Sequence, residues 1–303
     1  MAEVDLRPMS LGEVLDRTFS LYKRNFWLFA GIVSLPYLLL LIVNVAIAQM
    51  GIGAGASAPK DGGLPSVGLL AGAAAGGIVV LIFYFLLTGA AHAATIFAVS
   101  DLYLGRSPSL RNSYGRVGTK VFRILLLFFI FFVVVVIGFV AIGVVGALLR
   151  SPLVLVFFMF LGFILLIILL CRSAVVIPSA MLEDAGAVRA ISRSFELTKG
   201  HGFQIFLIFL LVAVLSYVGI LIFQAPFMFL QADALKAHQT LSLGMLILQN
   251  LSAFVSEVLV GPIGTIAFSL MYYNLRVRKE AFDVQHLMAS LGSQPAPGAP
   301  SAI

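Results

Sequence analysis

The stretch that decides the fold class reads Val121-Phe-Arg-Ile-Leu-Leu-Leu-Phe-Phe-Ile-Phe-Phe-Val-Val-Val-Val-Ile-Gly-Phe-Val-Ala-Ile-Gly-Val-Val-Gly-Ala-Leu-Leu149. It holds a single charged residue, Arg123, next to its beginning. A helix needs about 20 consecutive apolar residues to cross the hydrocarbon core of a bilayer. The stretch therefore predicts a transmembrane helix.

Five further stretches of this kind lie on both sides of it. They are Phe26 to Met50, Val67 to Ser100, Leu153 to Cys171, Phe203 to Gln231 and Leu243 to Tyr272. Of the 303 residues 61% are hydrophobic and only 11% are charged, with a mean hydropathy of +1.10. The sequence thus predicts an all-α polytopic membrane protein with six transmembrane helices, whose short loops leave no room for a soluble catalytic domain.

Basic residues alternate with these stretches and predict the orientation. Of the 19 Lys and Arg residues, all but Lys60, Arg150 and Lys236 fall in segments on one side of the membrane. Because cytoplasmic loops carry an excess of Lys and Arg, both termini are predicted to be cytoplasmic. The expected location is the plasma membrane, of the bacterial inner-membrane type.

An internal repeat organises the chain. Arg17-Thr-Phe-Ser-Leu-Tyr-Lys23 resembles Arg193-Ser-Phe-Glu-Leu-Thr-Lys199, and a weaker copy surrounds Tyr114. We predict three parallel-repeat hairpins, at about residues 10–100, 107–182 and 184–275, each introduced by a cytoplasmic amphipathic interfacial helix. A last interfacial helix would complete a membrane domain of residues 1–291, and residues 292–303 are predicted to form a disordered tail.

Local signals place the beginnings of the three interfacial helices. Ser10 and Glu13 form a capping box, Ser107 suits the N-cap of the second helix, and Asp184 suits that of the third. The basic faces of these helices are predicted to contact anionic lipid headgroups, and we expect no nucleic-acid partner. The alternative is that they are the basic junctions that any polytopic protein carries. The candidate lipid contacts are Arg17, Lys23, Arg24, Arg111, Arg116, Arg189, Arg193 and Lys199.

Three longer stretches carry a resemblance to a known family. They are Pro8-Met-Ser-Leu-Gly-Glu-Val-Leu-Asp-Arg-Thr-Phe-Ser-Leu-Tyr-Lys-Arg-Asn-Phe-Trp27, Pro178-Ser-Ala-Met-Leu-Glu-Asp-Ala-Gly-Ala-Val-Arg-Ala-Ile-Ser-Arg-Ser-Phe-Glu-Leu-Thr-Lys-Gly200 and Tyr272-Tyr-Asn-Leu-Arg-Val-Arg-Lys-Glu-Ala-Phe-Asp283. They resemble the membrane-domain family of glycerophosphoryl diester phosphodiesterase and its uncharacterised prokaryotic relatives. In that family a separate soluble domain carries the chemistry, so the resemblance implies a membrane module without that activity.

The sequence shows no recognisable group of catalytic residues. The four histidines, His92, His201, His238 and His286, are scattered singly, and no His-Glu-x-x-His motif occurs. We therefore expect no enzyme activity, no cofactor and no metal site.

Glu257 stands apart because it lies near the middle of the sixth apolar stretch. A carboxylate at that depth costs roughly 2.5–3.5 kcal/mol on insertion scales, so we expect it to face other helices and to be paired, protonated or wetted. Together with Asn250 and His92 it forms the candidate intramembrane polar site. Expected partners of Glu257 are His92, Asn44, Gln49 and Gln224. One interpretation is that Glu257 is a proton-linked or substrate-binding group. The other, which the sequence favours, is that it forms a structural contact between helices.

Two functions remain open at this point. The first is a non-catalytic membrane module that engages lipids or organises partner proteins. The alternative is a transporter or channel for a small or lipid-like molecule, with Glu257 in its pathway. A water-accessible central cavity that reaches Glu257 would favour the alternative, and a dry, close-packed centre would favour the first.

The charge distribution makes the orientation directly testable. A reporter enzyme that is active only outside the cytoplasm, fused after Ile303, is expected to give no signal in intact cells. The same reporter fused within the predicted outer loop that contains Lys60 should be active. A strong signal from the C-terminal fusion would contradict the predicted topology.

Overall fold

The computed structural model describes residues 7–49, 67–149, 151–184, 186–236 and 242–281, and this part of the chain is helical. A short 3₁₀ turn, Gly118–Lys120, leads into α5. The helices are α1 (Leu11–Arg24), α2 (Phe26–Gln49), α3 (Val67–Tyr103), α4 (Leu110–Val117), α5 (Val121–Leu149), α6 (Pro152–Ser173), α7 (Val176–Leu182), α8 (Ala187–Thr198), α9 (Gly202–Lys236) and α10 (Leu243–Glu280).

Six segments among the described residues are long and apolar enough to cross a membrane, as the sequence predicts. They lie in α2, α3, α5, the pair α6–α7, α9 and α10. The fourth is longer than predicted, because apolar helix resumes in α7 after a short break at Ala174 and Val175. Helices α3, α9 and α10, of 37, 35 and 38 residues, exceed the roughly 20 residues that a membrane requires, an excess that a helix accommodates by tilting or by extending beyond the hydrocarbon core.

The spans follow one another around a ring in chain order. Each packs against the next, and α10 closes the ring by packing against α2. Helix α10 also contacts α3, α1, α7 and α8. The last span is therefore the element against which most of the fold is assembled.

Helices α1, α4 and α8 precede the first, third and fifth spans. We call the side of the membrane on which they lie the basic side, and the other the opposite side. Helix α1 bonds α10 at both of its ends, through Met9 to Asn274 and through Tyr22 to the Leu259 carbonyl. It therefore runs alongside α10. The internal repeat, and a position of these helices at the membrane surface, stay predictions, and the predicted C-terminal helix and tail lie outside the described residues.

Of the three N-caps predicted for α1, α4 and α8, the structure confirms the first. Ser10 and Glu13 form the predicted capping box, in which the Ser10 N–H and hydroxyl, together with Arg7, lower the pKa of Glu13 to about 2. Helix α4 is capped by Ser109, not Ser107, because the Ser109 hydroxyl reaches the Asn112 N–H at 3.2 Å.

Asp184 is not the N-cap of α8, a place that Gly186 takes. Its backbone is left-handed, with φ of 51°, and its carboxylate pairs with Lys120 at 2.6 Å and with Arg123 at 3.3 Å. The hydrogen bond from Lys120 in particular holds the pKa of Asp184 below its ordinary value. Asp184 thus joins the α7–α8 connection to the beginning of α5.

Three successive residues of α10 bind three separate parts of the fold, and we call them the hub. Tyr272 donates a hydrogen bond to Glu183 at 2.8 Å, and Tyr273 donates one to Ser100 at 2.8 Å. The Asn274 side chain accepts from the Met9 N–H at 2.8 Å and donates to the Met9 carbonyl at 3.1 Å. Since successive residues of a helix point about 100° apart, one turn reaches α7–α8, α3 and the segment before α1.

An ion cluster surrounds the hub. Arg193 on α8 pairs with Glu183 at 2.9 Å and also with Glu280 at the end of α10. Arg276 pairs with Glu280 at 3.0 Å. Each of these side chains is at least three-quarters buried, so the cluster is shielded from salt and holds α8 against α10.

Asn274→Leu is expected to destabilise the protein by about 1–3 kcal/mol, because it leaves the buried Met9 N–H without an acceptor. The Met9 carbonyl keeps its bond from Arg278 at 2.7 Å. Thermal unfolding in detergent measures the effect. The matched control is Asn250→Leu, since among the described residues the Asn250 amide bonds only the Leu246 carbonyl of its own helix. Equal losses of thermal stability in the two variants would contradict the role of the hub in holding the segment before α1.

Candidate binding cavity

A cavity of about 280 Å³ lies between the spans, which we call the central cavity. Its walls come from α2, α3, α6–α7, α9 and α10. Most of its lining is apolar, and the polar side chains that reach it are Tyr37, His92, Thr95, Ser216, Glu257 and Thr265. This volume holds several water molecules or a small organic group.

Glu257 lines this cavity and is bound by Tyr37. The Tyr37 hydroxyl donates to Glu257 Oε1 at 2.7 Å. No described residue bonds Glu257 Oε2, so this oxygen is available to a molecule in the cavity. Gly261, one turn further along α10, keeps the space beside the carboxylate open, because a Cβ there would lie 3.7 Å from Glu257 Cδ.

The other two members of the predicted polar site are placed differently. His92 lines the same cavity, but its Nδ1 lies 2.7 Å from the Thr265 hydroxyl and not against Glu257. Asn250 lies outside the cavity lining and donates to the Leu246 carbonyl. The structure thus brings Glu257 and His92 to one cavity and leaves Asn250 elsewhere.

The partner of Glu257 is not one of the four that the sequence suggested. Tyr37 was missed because a tyrosine within an apolar stretch is also consistent with ordinary packing. A signal was present, since Tyr37 follows Pro36 near the middle of the first span, where a lone hydroxyl needs a buried partner.

Packing around the central cavity differs between its two sides. Along α3, residues 93–101 are buried on every face of the helix, whereas residues 75–84 are exposed on every face. The buried residues of α10 likewise lie between Ser256 and Val277. Since a closed ring would bury the inward faces along the whole length, the described helices are closed on the basic side and open on the opposite side.

The predicted lipid contacts separate into two groups. Arg17 lies over the Tyr103 ring, Arg116 pairs with Asp101, and Arg193 belongs to the ion cluster. The other five are exposed to the surroundings, namely Lys23, Arg24, Arg111, Arg189 and Lys199. The first group is engaged in contacts between helices, in which the Arg116 side chain nevertheless stays 40% exposed. The second group is the more open to lipid headgroups. Lipid binding by either group stays a prediction.

Comparison with known proteins gives one match. Residues 144–287 match the family described as the membrane domain of glycerophosphoryl diester phosphodiesterase. The resemblance seen in the sequence is confirmed for this part of the chain. The matched part includes Glu257 and the hub but neither Tyr37 nor His92. Neither a curated protein nor a solved structure matches the chain.

The match concerns the membrane part of the family, so it assigns no catalytic role. Among the described residues no group of three or more His, Cys, Asp or Glu side chains could hold a metal ion. Two of the stretches that carry the resemblance, residues 178–200 and 272–283, lie in the matched part and contribute the hub and its ion cluster. The third, residues 8–27, lies outside it and contributes Met9.

Two glycines of α10 test the geometry of the cavity wall. Gly261→Ala places a methyl group at ordinary van der Waals distance from Glu257, 3.7 Å from its Cδ, and improves helix propensity by up to about 1 kcal/mol, so it should raise thermal stability. In Gly264→Ala the new methyl group would lie 3.0 Å from Val212 Cγ1 on α9, so stability should fall. Thermal unfolding in detergent compares the two. The reverse order would contradict the position of the cavity.

Proposed function

We propose that this chain is a non-catalytic membrane protein that binds a small or lipid-like molecule in its central cavity. The observation that carries the proposal is the Glu257 carboxylate, held by Tyr37 on one oxygen and open to the cavity on the other. An intramembrane carboxylate whose second oxygen lacks a donor is costly, so a molecule that supplies a donor there would be held.

The chemistry of the lining indicates the class of ligand. The walls are mainly apolar, as in most small-molecule sites, and a few polar groups would fix the orientation of the ligand. The free oxygen of Glu257 accepts hydrogen bonds, so the complementary group is a hydroxyl or an amine. The volume suits a small amphipathic molecule or one end of a lipid, and not a whole phospholipid.

Transport of the bound molecule is a second candidate. It is favoured by the unequal packing, since a site at mid-membrane that is closed on one side and open on the other corresponds to one state of alternating access. The hub and the ion cluster would then close the basic side. Movement to a second state would require those contacts to part.

Removing the carboxylate tests the binding proposal. The full chain and its variants are purified in native nanodiscs, and copurifying small molecules are measured by mass spectrometry. We expect one species to be enriched with the wild type, reduced in Glu257→Gln, and reduced about tenfold or more in Glu257→Leu, since losing a hydrogen bond to a charged group costs about 1.5–3 kcal/mol. Glu196→Gln, which changes an exposed acid on α8, is the matched control.

A second pair of variants tests the cavity itself. Gly261→Leu fills the space beside Glu257 and should exclude the ligand while the carboxylate remains. Gly244→Leu makes the same change at an exposed position of α10 and should have no effect. If all variants copurify the same molecules as the wild type, the binding proposal is wrong.

A further inference from the structure

We propose that a second site, between α3 and α4 on the basic side, binds the phosphate group of an anionic phospholipid headgroup. We call it the basic pocket. It has a volume of about 550 Å³ and is lined by Asp101, Arg106, Ser107, Arg111, Asn112, Gly115 and Arg116. None of these residues lines the central cavity, so this site is independent of the proposed function above.

The charge of the basic pocket favours an anion. Three arginines and one aspartate line it, which leaves two positive charges uncompensated. Arg111 is exposed and forms no ion pair with any described residue. At the beginning of α4 the Asn112 N–H is capped by Ser109, whereas the N–H groups of Leu110 and Arg111 have no acceptor within the helix, which gives this end of α4 a partial positive charge.

One arginine of the basic pocket is already held in position. Arg116 pairs with Asp101 at 2.9 Å and lies over the Phe97 ring, with 4.3 Å between the guanidinium carbon and the ring centroid. Arg106 is 3.9 Å from the same carboxylate and remains 64% exposed. Arginine binds phosphate oxygens through two parallel N–H groups, and a fixed guanidinium loses little entropy when it does so. The basic pocket thus combines one guanidinium group that is fixed, that of Arg116, with two that can move, those of Arg106 and Arg111.

The depth of α4 favours a lipid as the source of the phosphate. The Leu110 side chain lies against Gly31, and the Tyr114 hydroxyl bonds the Ile32 carbonyl, both within the first two turns of α2. Trp27 lies in the first of these turns and is 84% exposed, as expected for an aromatic anchor at the level of the headgroups. The basic pocket therefore lies where lipid phosphates lie. Its volume exceeds that of a phosphate ion and leaves room for the rest of a headgroup.

The proposal is tested by titrating the full-length protein in neutral detergent with a short-chain phosphatidylglycerol, and measuring bound lipid by native mass spectrometry. Arg106→Gln/Arg111→Gln should weaken binding about 25-fold, because each basic residue near an anionic headgroup contributes roughly a fivefold effect. Lys60→Gln/Lys236→Gln removes the same charge from segments that are predicted to lie on the other side of the membrane, and should bind as the wild type does.

Competition with inorganic phosphate separates the two sources of the ligand. If the site takes a lipid, phosphate at the same concentration should leave lipid binding unchanged. Displacement by phosphate would identify a site for the free ion and overturn the lipid proposal, as would equal losses in the two double variants. Unfolding midpoints verify that each variant is folded. If the double variant is not folded, Arg106→Gln and Arg111→Gln are measured singly, and each is expected to weaken lipid binding about fivefold.

Discussion

One turn of α10 determines how the rest of the fold is assembled. Tyr272, Tyr273 and Asn274 bind the α7–α8 connection, the end of α3 and the residue before α1. Lipid tails are as apolar as leucine, so apolar contact between spans gives little preference for one arrangement over another. Directional hydrogen bonds from buried side chains provide that preference here. They do so on the basic side of the membrane, where the buried core also lies.

The central cavity follows from this unequal distribution of contacts. Packing is closest on the basic side and the central cavity lies where it becomes looser, although α9 and α10 stay bonded beyond it, through the Ser252 hydroxyl and the Phe223 carbonyl. Tyr37, His92 and Glu257 lie at that boundary. A carboxylate is tolerated there because the Tyr37 hydroxyl donates a hydrogen bond to it and the cavity leaves room for a donor at its other oxygen. The position of Glu257 and the looser packing of the opposite side thus both follow from the concentration of helix contacts on the basic side.

The sequence predicted the helices and spans well, because length, apolar runs and the Ser10–Glu13 box are local features. It placed the N-cap of α4 two residues early and assigned Asp184 to a cap, since several polar residues there could serve and only tertiary contacts decide among them. The sequence also identified Glu257 by its cost in a membrane. It did not predict Tyr37 as its partner, because that contact joins residues 220 positions apart. The three hub residues of α10 belong to a stretch that carries the family resemblance, but their hydrogen bonds were not predicted from the sequence.

The central claim is that the central cavity beside Glu257 is accessible from the opposite side only. Cys171 is the single native cysteine, so a Cys171→Ala background allows one reporter thiol, Ser216→Cys, which lines the cavity on α9. A charged thiol reagent that cannot cross membranes is applied separately to each face of oriented vesicles. We expect labelling from the opposite side and none from the basic side, with Ile208→Cys in the buried core unlabelled from both. Labelling of Ser216→Cys from the basic side, or from neither side, would contradict the claim.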